Sequence, residues 1–108
     1  MATTYKVLGQ VSPSAATATT LYTVPSATST VASTLVICNR STTTTVRVAV
    51  RPAGATLADT HYIIYDYTVN GNDSVFMTIG LTLAATDVVT VYAGTANVSF
   101  NLYGSEVA

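Results

Sequence analysis

Charge is what this chain has least of: Lys and Arg total 4, Asp and Glu total 5, and charged residues make up 8% of 108, where a globular domain ordinarily carries about 25%. Charge spread over a surface keeps soluble proteins apart, so a surface this poor in it is built to be covered. The four basic residues, Lys6, Arg40, Arg47 and Arg51, are scattered and the net charge is −1. That excludes the run of phosphate contacts on which nucleic-acid affinity depends. The single cysteine, Cys38, permits no internal disulfide, so the fold does not depend on an oxidising compartment, although a bridge between chains stays open. Its neighbours Leu35, Val36 and Ile37 mark Cys38 as a small buried hydrophobe. Long apolar runs are also missing. The uncharged stretch from Val7 to Asn39 is broken by Pro13, Pro25 and many hydroxyls, and nowhere offers the ~20 apolar residues of a membrane span. Met1 to Lys6 do not form a basic segment leading into an apolar core, so no secretory signal is visible and use without export is expected.

What the chain does have is threonine, about one residue in five, within a hydrophobic content of 49%. That content is too high for a disordered chain. A chain of this length buries roughly two-thirds of its unfolded surface, enough for one core, so residues 1–108 are expected to form a single domain. Short apolar runs rich in β-branched and aromatic residues recur between turn residues, which reads as all-β. Strands are expected near Tyr5–Gln10, Thr20–Val24, Thr30–Asn39, Thr44–Arg51, His61–Tyr67, Ser74–Leu81, Val88–Ala93 and Val98–Tyr103. Alternation assigns the faces, because successive side chains of a strand point oppositely. Val46, Val48 and Val50 face the core and Arg47, Ala49 and Arg51 face away. Val98, Phe100 and Leu102 are opposed to Asn97, Ser99 and Asn101, and Val75, Met77, Ile79 and Leu81 form a third apolar row with Phe76 adding bulk on the other side. Asn70-Gly71-Asn72-Asp73 predicts a hairpin with a type I′ turn, and Pro52-Ala53-Gly54 ends the preceding strand. Ala53–Thr60 is too short for more than a turn or two of helix. Ser12–Thr19 and the hydroxyl run Ser41–Thr45 read as loops whose order would come from a neighbour. About eight strands in 108 residues imply an antiparallel β-sandwich, jelly-roll or immunoglobulin-like.

Chemistry is sparse. His61 is the only histidine; with Asp59 and Asp66 it lacks a third ligand at suitable spacing, so no metal site and no cofactor are expected. No Gly-x-Ser-x-Gly turn presents a serine, and Cys38 lies in an apolar run that disfavours a thiolate. The five acids show no pair set across a cleft, and the chain is not expected to be an enzyme. Asp73 and Asp87 precede apolar strands and are read as acceptors for turn amides. The triplets Asn39-Arg40-Ser41, Asn72-Asp73-Ser74 and Asn97-Val98-Ser99 match a glycosylation pattern that a Ser/Thr-rich chain produces by chance. Tyr62, Tyr65 and Tyr67 form the one cluster suited to a sugar platform. Alternation places Tyr65 and Tyr67 with Ile63 and Tyr62 with Ile64, which favours packing or subunit contact for at least part of it. Arg40, Arg47 and Arg51 are candidates for contacts to a neighbour's carboxylates, since guanidinium forms paired hydrogen bonds.

Several segments carry a likeness to a known group. They are Thr4-Tyr5-Lys6-Val7-Leu8-Gly9-Gln10, Leu21-Tyr22-Thr23-Val24-Pro25, Val36-Ile37-Cys38-Asn39-Arg40 leading to Arg47-Val48-Ala49-Val50-Arg51-Pro52, Gly80-Leu81-Thr82-Leu83-Ala84-Ala85-Thr86-Asp87, and the ending Phe100-Asn101-Leu102-Tyr103-Gly104-Ser105-Glu106. Over nearly its whole length the chain resembles small virion structural proteins of tailed bacteriophages, of the capsid decoration (cement) or tail-associated kind. The resemblance implies a β-sandwich present in many copies on a virion, made in the host cytoplasm. It further implies a homotrimer seated on the major capsid protein over junctions between capsomers, with a tail, neck, baseplate or fibre component as the alternative; apart from the resemblance, the tyrosine cluster leaves a carbohydrate-binding module as a third reading. Arg40, Arg47, Arg51, Tyr62, Tyr65 and Tyr67 are the candidate interface residues.

Overall fold

β-branched and aromatic side chains pack well on a pleated surface, and strand dominates the computed structural model, which describes residues 2–108. Eight strands run in order: β1 (Thr3–Val11), β2 (Thr19–Thr23), β3 (Ser29–Asn39), β4 (Thr44–Arg51), β5 (Tyr62–Val69), β6 (Asp73–Leu83), β7 (Val88–Ala93) and β8 (Val98–Val107). Two single 3-10 turns, Pro52–Gly54 and Asp59–His61, interrupt the connection from β4 to β5. The strands form two four-stranded antiparallel sheets, β1-β8-β3-β6 and β2-β7-β4-β5. Every connection except β4–β5 therefore passes from one sheet to the other. This order, with the first strand beside the last, is that of an eight-stranded jelly roll; an immunoglobulin-like sandwich would pair its first two strands.

Alternation determines what the sheets bury. Leu35 and Ile37 of β3 and Phe100 and Leu102 of β8 project inward from the first sheet, and Val46, Val48, Val89 and Val91 from the second, all without solvent exposure. Val50, Val75, Met77, Ile79 and Leu81 pack around this centre. The expected faces of β4, β6 and β8 are thus the observed ones.

Cys38 departs from expectation. It is partly exposed and stands in register with Ser99 and Ser74 on the outer side of the first sheet. Strict alternation after Ile37 turns it outward, although its neighbours are apolar. The Asn70–Asp73 turn departs too: it joins β5 to β6, which lie in different sheets, so it is a crossover and no hairpin. Positive φ falls on Asn72 (52°). Gly71 is required for space, because a Cβ there would sit 2.6 Å from the Ser41 carbonyl oxygen.

The hydroxyl run Ser41–Thr45 also takes its order from within the chain. Thr44 and Thr45 already belong to β4, and buried Asn39 secures the rest. Its Nδ2 donates to the carbonyls of Thr42 (2.8 Å), Val69 (3.2 Å) and Asn70 (3.2 Å), and its Oδ1 accepts from the Ser41 amide (3.0 Å). One side chain thereby ties the β3–β4 loop to the β5–β6 crossover. An amide suits this position because it offers donors and an acceptor without the cost of burying charge.

At the other end of the sandwich, Tyr22 of β2 donates its hydroxyl to the Glu106 carboxylate and lies 2.8 Å from the Thr30 hydroxyl. Lys6 approaches Glu106 at 3.4 Å. Burial, followed by the hydrogen bond to Glu106, pushes the Tyr22 phenol up to about 12. A phenol that holds its proton more tightly in the folded state contributes stability below its ordinary value near 10, and that contribution is lost as pH rises through about 12. Wild-type protein is therefore expected to lose urea resistance between these two values. Tyr22→Phe is expected to be less stable at neutral pH by about 1–3 kcal/mol, the cost of an unpaired buried acceptor, and to show a flatter alkaline decline, as read by urea titrations across the range.

Candidate functional site

A sandwich has two outer faces, and here they differ in kind. On the first sheet the strand registers place outward-facing side chains in rows. Tyr5, Ser105, Val31 and Thr82 make one row, and Val7, Tyr103, Thr34 and Thr78 the next. Gln10, Asn101, Val36 and Phe76 make a third, and Ser99, Cys38 and Ser74 a fourth. None of these side chains is a Lys, Arg, His, Asp or Glu. Tyr5 and, on the opposite edge strand, Phe76 are 83% and 74% exposed, and Val7 and Val31 are exposed nearer Tyr5. Exposed apolar side chains grouped on one face, as Tyr5, Val7 and Val31 are, are what an interaction surface offers. The polar groups between the apolar ones are hydroxyls and amides, such as Gln10, which donates to Asn101 Oδ1 at 2.7 Å. Arg40 closes one end of the face, its Nη2 donating to the hydroxyl oxygens of Ser12 and Ser99 at 3.1 Å each.

The charges of the face are absent because they are used elsewhere. Lys6 and Glu106 alternate to the inner side, at the rim of the sandwich. Asp87 accepts from the amides of Ala53 and Ala84, both at 2.9 Å, and Asp73 from that of Ser74 at 2.9 Å, the turn role expected of both.

The second sheet's outer face carries the other arginines. Arg47 Nε donates to Asp66 Oδ1 at 2.6 Å and its Nη2 to Asp66 Oδ2 at 3.3 Å. Its guanidinium carbon lies 4.3 Å from the ring centre of Tyr65 and 4.5 Å from that of Tyr92. The hydrogen bond to Asp66 raises the Arg47 pKa above its ordinary range. Arg51 Nε donates to Thr90 Oγ1 at 3.0 Å and its Nη1 to the Ala55 carbonyl at 2.9 Å, fastening the 52–55 segment over β7. Both residues face away from the core as expected, and both engage groups of their own chain.

The tyrosines do not obey simple alternation. Between Val46 and Ala49 of β4 the register against β5 shifts twice, and Asp66 adopts φ 52°. Each bulge inserts a residue and re-aims the side chains beyond it. Tyr62 and Tyr65 consequently meet edge to face, with ring centres 4.9 Å apart, on the Arg47 side of the sheet. Tyr67 stands in register with Val46 instead. Asp59, Tyr62 and Tyr65 line a shallow depression. His61 Nδ1 accepts the Ala58 amide at 3.0 Å and so closes the 3-10 turn. Among the described residues no three His, Cys, Asp or Glu side chains gather as a metal site would require.

Tyr5, Val7 and Val31 were not among the residues singled out from the sequence. Their signal was apolar residues on both phases of a strand, as in Val31-Ala32 and Val75-Phe76-Met77, where a sheet wet on one side shows apolar residues on one phase only. The fold does not need them. Tyr5→Ser is expected to change unfolding free energy by less than about 0.5 kcal/mol, whereas Leu102→Ala, at the centre of the core, lowers it by about 2–5 kcal/mol; urea denaturation measures both. Compared with known proteins, the chain matches no family model and no curated protein.

Proposed function

We propose that the chain is a structural protein of a tailed-bacteriophage virion, a capsid cement or decoration protein that lays the outer face of the β1-β8-β3-β6 sheet on the major capsid protein and bridges neighbouring capsomers. The observation that carries this reading is a face whose only charge is Arg40 at one end, with Tyr5, Val7, Val31 and Phe76 exposed among hydroxyls and amides. Apolar side chains gain by leaving water, and the hydroxyls between them exchange water for partner groups at little cost when paired. A face with so little charge also demands little matching countercharge from its partner, so it suits a flat protein surface better than a phosphate, a membrane headgroup or an ionic substrate. On a symmetric lattice many modest contacts act together, and avidity replaces a single dominant hot spot. The sequence resemblance to phage virion proteins supports the same reading.

A tail, neck, baseplate or fibre component would use the same face against a different neighbour. A glycan platform at Tyr65 is the weaker reading, because Arg47 already stacks on that ring and Tyr62 meets it edge to face.

Particles stripped of the protein are expected to lose resistance to heat and osmotic shock and to regain it when wild-type protein is added back. Val31→Lys protein, with a charge set into the middle of the face, is expected to rebind poorly and restore little. Stripped particles as resistant as intact ones would overturn the proposal.

A further inference from the structure

The two sheets have four edges, and three carry devices that discourage pairing with another strand. β1 bears Lys6, β2 is only five residues long, and β5 is bulged twice and carries Asp66. The fourth edge, β6, has its charge at its first residue and its bulge past Thr78, which leaves Ser74 to Thr78 without either. It is eleven residues long, hydrogen-bonds to β3 alone, and has no charge and no proline from Ser74 to Leu83. Its first half pairs with β3 without interruption, Asp73 to Thr78 against Asn39 to Thr34. The second half then breaks register, with Ile79 and Gly80 opposite Ser33, and Gly80 at φ 55° supplies the positive φ of the bulge. From Ser74 to Thr78 an uncharged stretch of edge strand is left with an open row of backbone donors and acceptors.

We infer that β6 pairs antiparallel with β6 of a second copy of this chain, about a two-fold axis at Phe76. In that register Phe76 lies across from its counterpart, Val75 across from Met77, and Ser74 across from Thr78. The aromatic side chains meet on the outer face, where Phe76 is now 74% exposed, and cross-strand aromatic pairs are among the stabilising ones. Val75 and Met77, both partly buried, close over the core edge on the other side. A second copy satisfies the charge pattern of the edge. Asp73 is the only charged residue of β6, and the two-fold axis keeps its two copies about 20 Å apart at the usual rise per residue, beyond the screening length at physiological salt. No like charges oppose one another, and the bulge ends the ladder just past Thr78. Pairing would join two four-stranded sheets into one of eight and make their two outer faces continuous. The inference does not rest on attachment to a virion. It replaces the three-fold assembly implied by the sequence resemblance with a two-fold one.

The test is the mass of the isolated protein by light scattering across the micromolar range. Twice the 11.2 kDa of the chain is expected. Phe76→Lys, which sets two ammonium groups against each other, should weaken the pair by about 100-fold or more, and Thr78→Lys should also weaken it. Tyr5→Lys, equally exposed on the same sheet but on β1, should leave it intact. In a Cys38→Ser background, Phe76→Cys should form an interchain disulfide on mild oxidation, since directly opposed residues lie within bridging distance, and Thr82→Cys should not. Circular dichroism confirms that each variant is folded. A mass of one or three chains for the wild type, a folded Phe76→Lys that stays paired, dissociation by Tyr5→Lys, or a disulfide at position 82 and none at 76 would each overturn the inference. Loss of particle binding with the pair intact would count against the virion reading alone.

Discussion

Two four-stranded sheets must bury their inner faces against each other, and the rest of the molecule depends on that contact. Its centre is made by Leu35, Ile37, Phe100 and Leu102 against Val46, Val48, Val89 and Val91. Because strand side chains alternate, each inward row obliges an outward one, and the chain must choose what to place there. Ordinary sandwiches choose charge on at least one side. This chain places serine, threonine, asparagine, glutamine and exposed apolar groups across the whole outer face of β1-β8-β3-β6.

The few charges are engaged in the chain's own architecture. Glu106 accepts from Tyr22 and Lys6 at one end of the sandwich. Asp87 and Asp73 hold turn amides, Arg51 pins the segment after β4, and Arg47 lies between Tyr65 and Tyr92 with Asp66. Buried Asn39 does the corresponding work at the other end without charge. One outer face is thereby organised by cation–aromatic and ionic contacts, and the other is left apolar and hydroxylic. The two outer faces of the sandwich are thus chemically unlike, which is what the proposed docking rests on.

Much of the fold was legible because alternation is a local property. The eight strands lie close to where β-branched runs and turn residues place them, and the valines of β4 and the apolar row of β8 face inward as expected. What was not legible depended on non-local contacts. Gly71 looked like a hairpin glycine, but its lack of a side chain serves the close approach of Ser41, which lies thirty residues earlier. Cys38 turns outward with the pleat in spite of its apolar neighbours. The β5 bulges brought Tyr62 and Tyr65 together where simple alternation had separated them. The choice between sandwich types needed the pairing of β1 with β8 across almost the full chain, which no local pattern carries. The nearly uncharged outer face was half legible: charge poverty was plain in the composition, but only the registers showed that the uncharged positions gather on one sheet.

The central claim is that this face, and not the Arg47 face, meets the particle. A reconstruction of the assembled particle at side-chain resolution tests it most directly. The account predicts Tyr5, Val31 and Tyr103 buried against the neighbouring capsid protein, with Arg47 and Tyr65 open to solvent. Tyr5 and Val31 facing water while Arg47 and Tyr65 form the contact would contradict it.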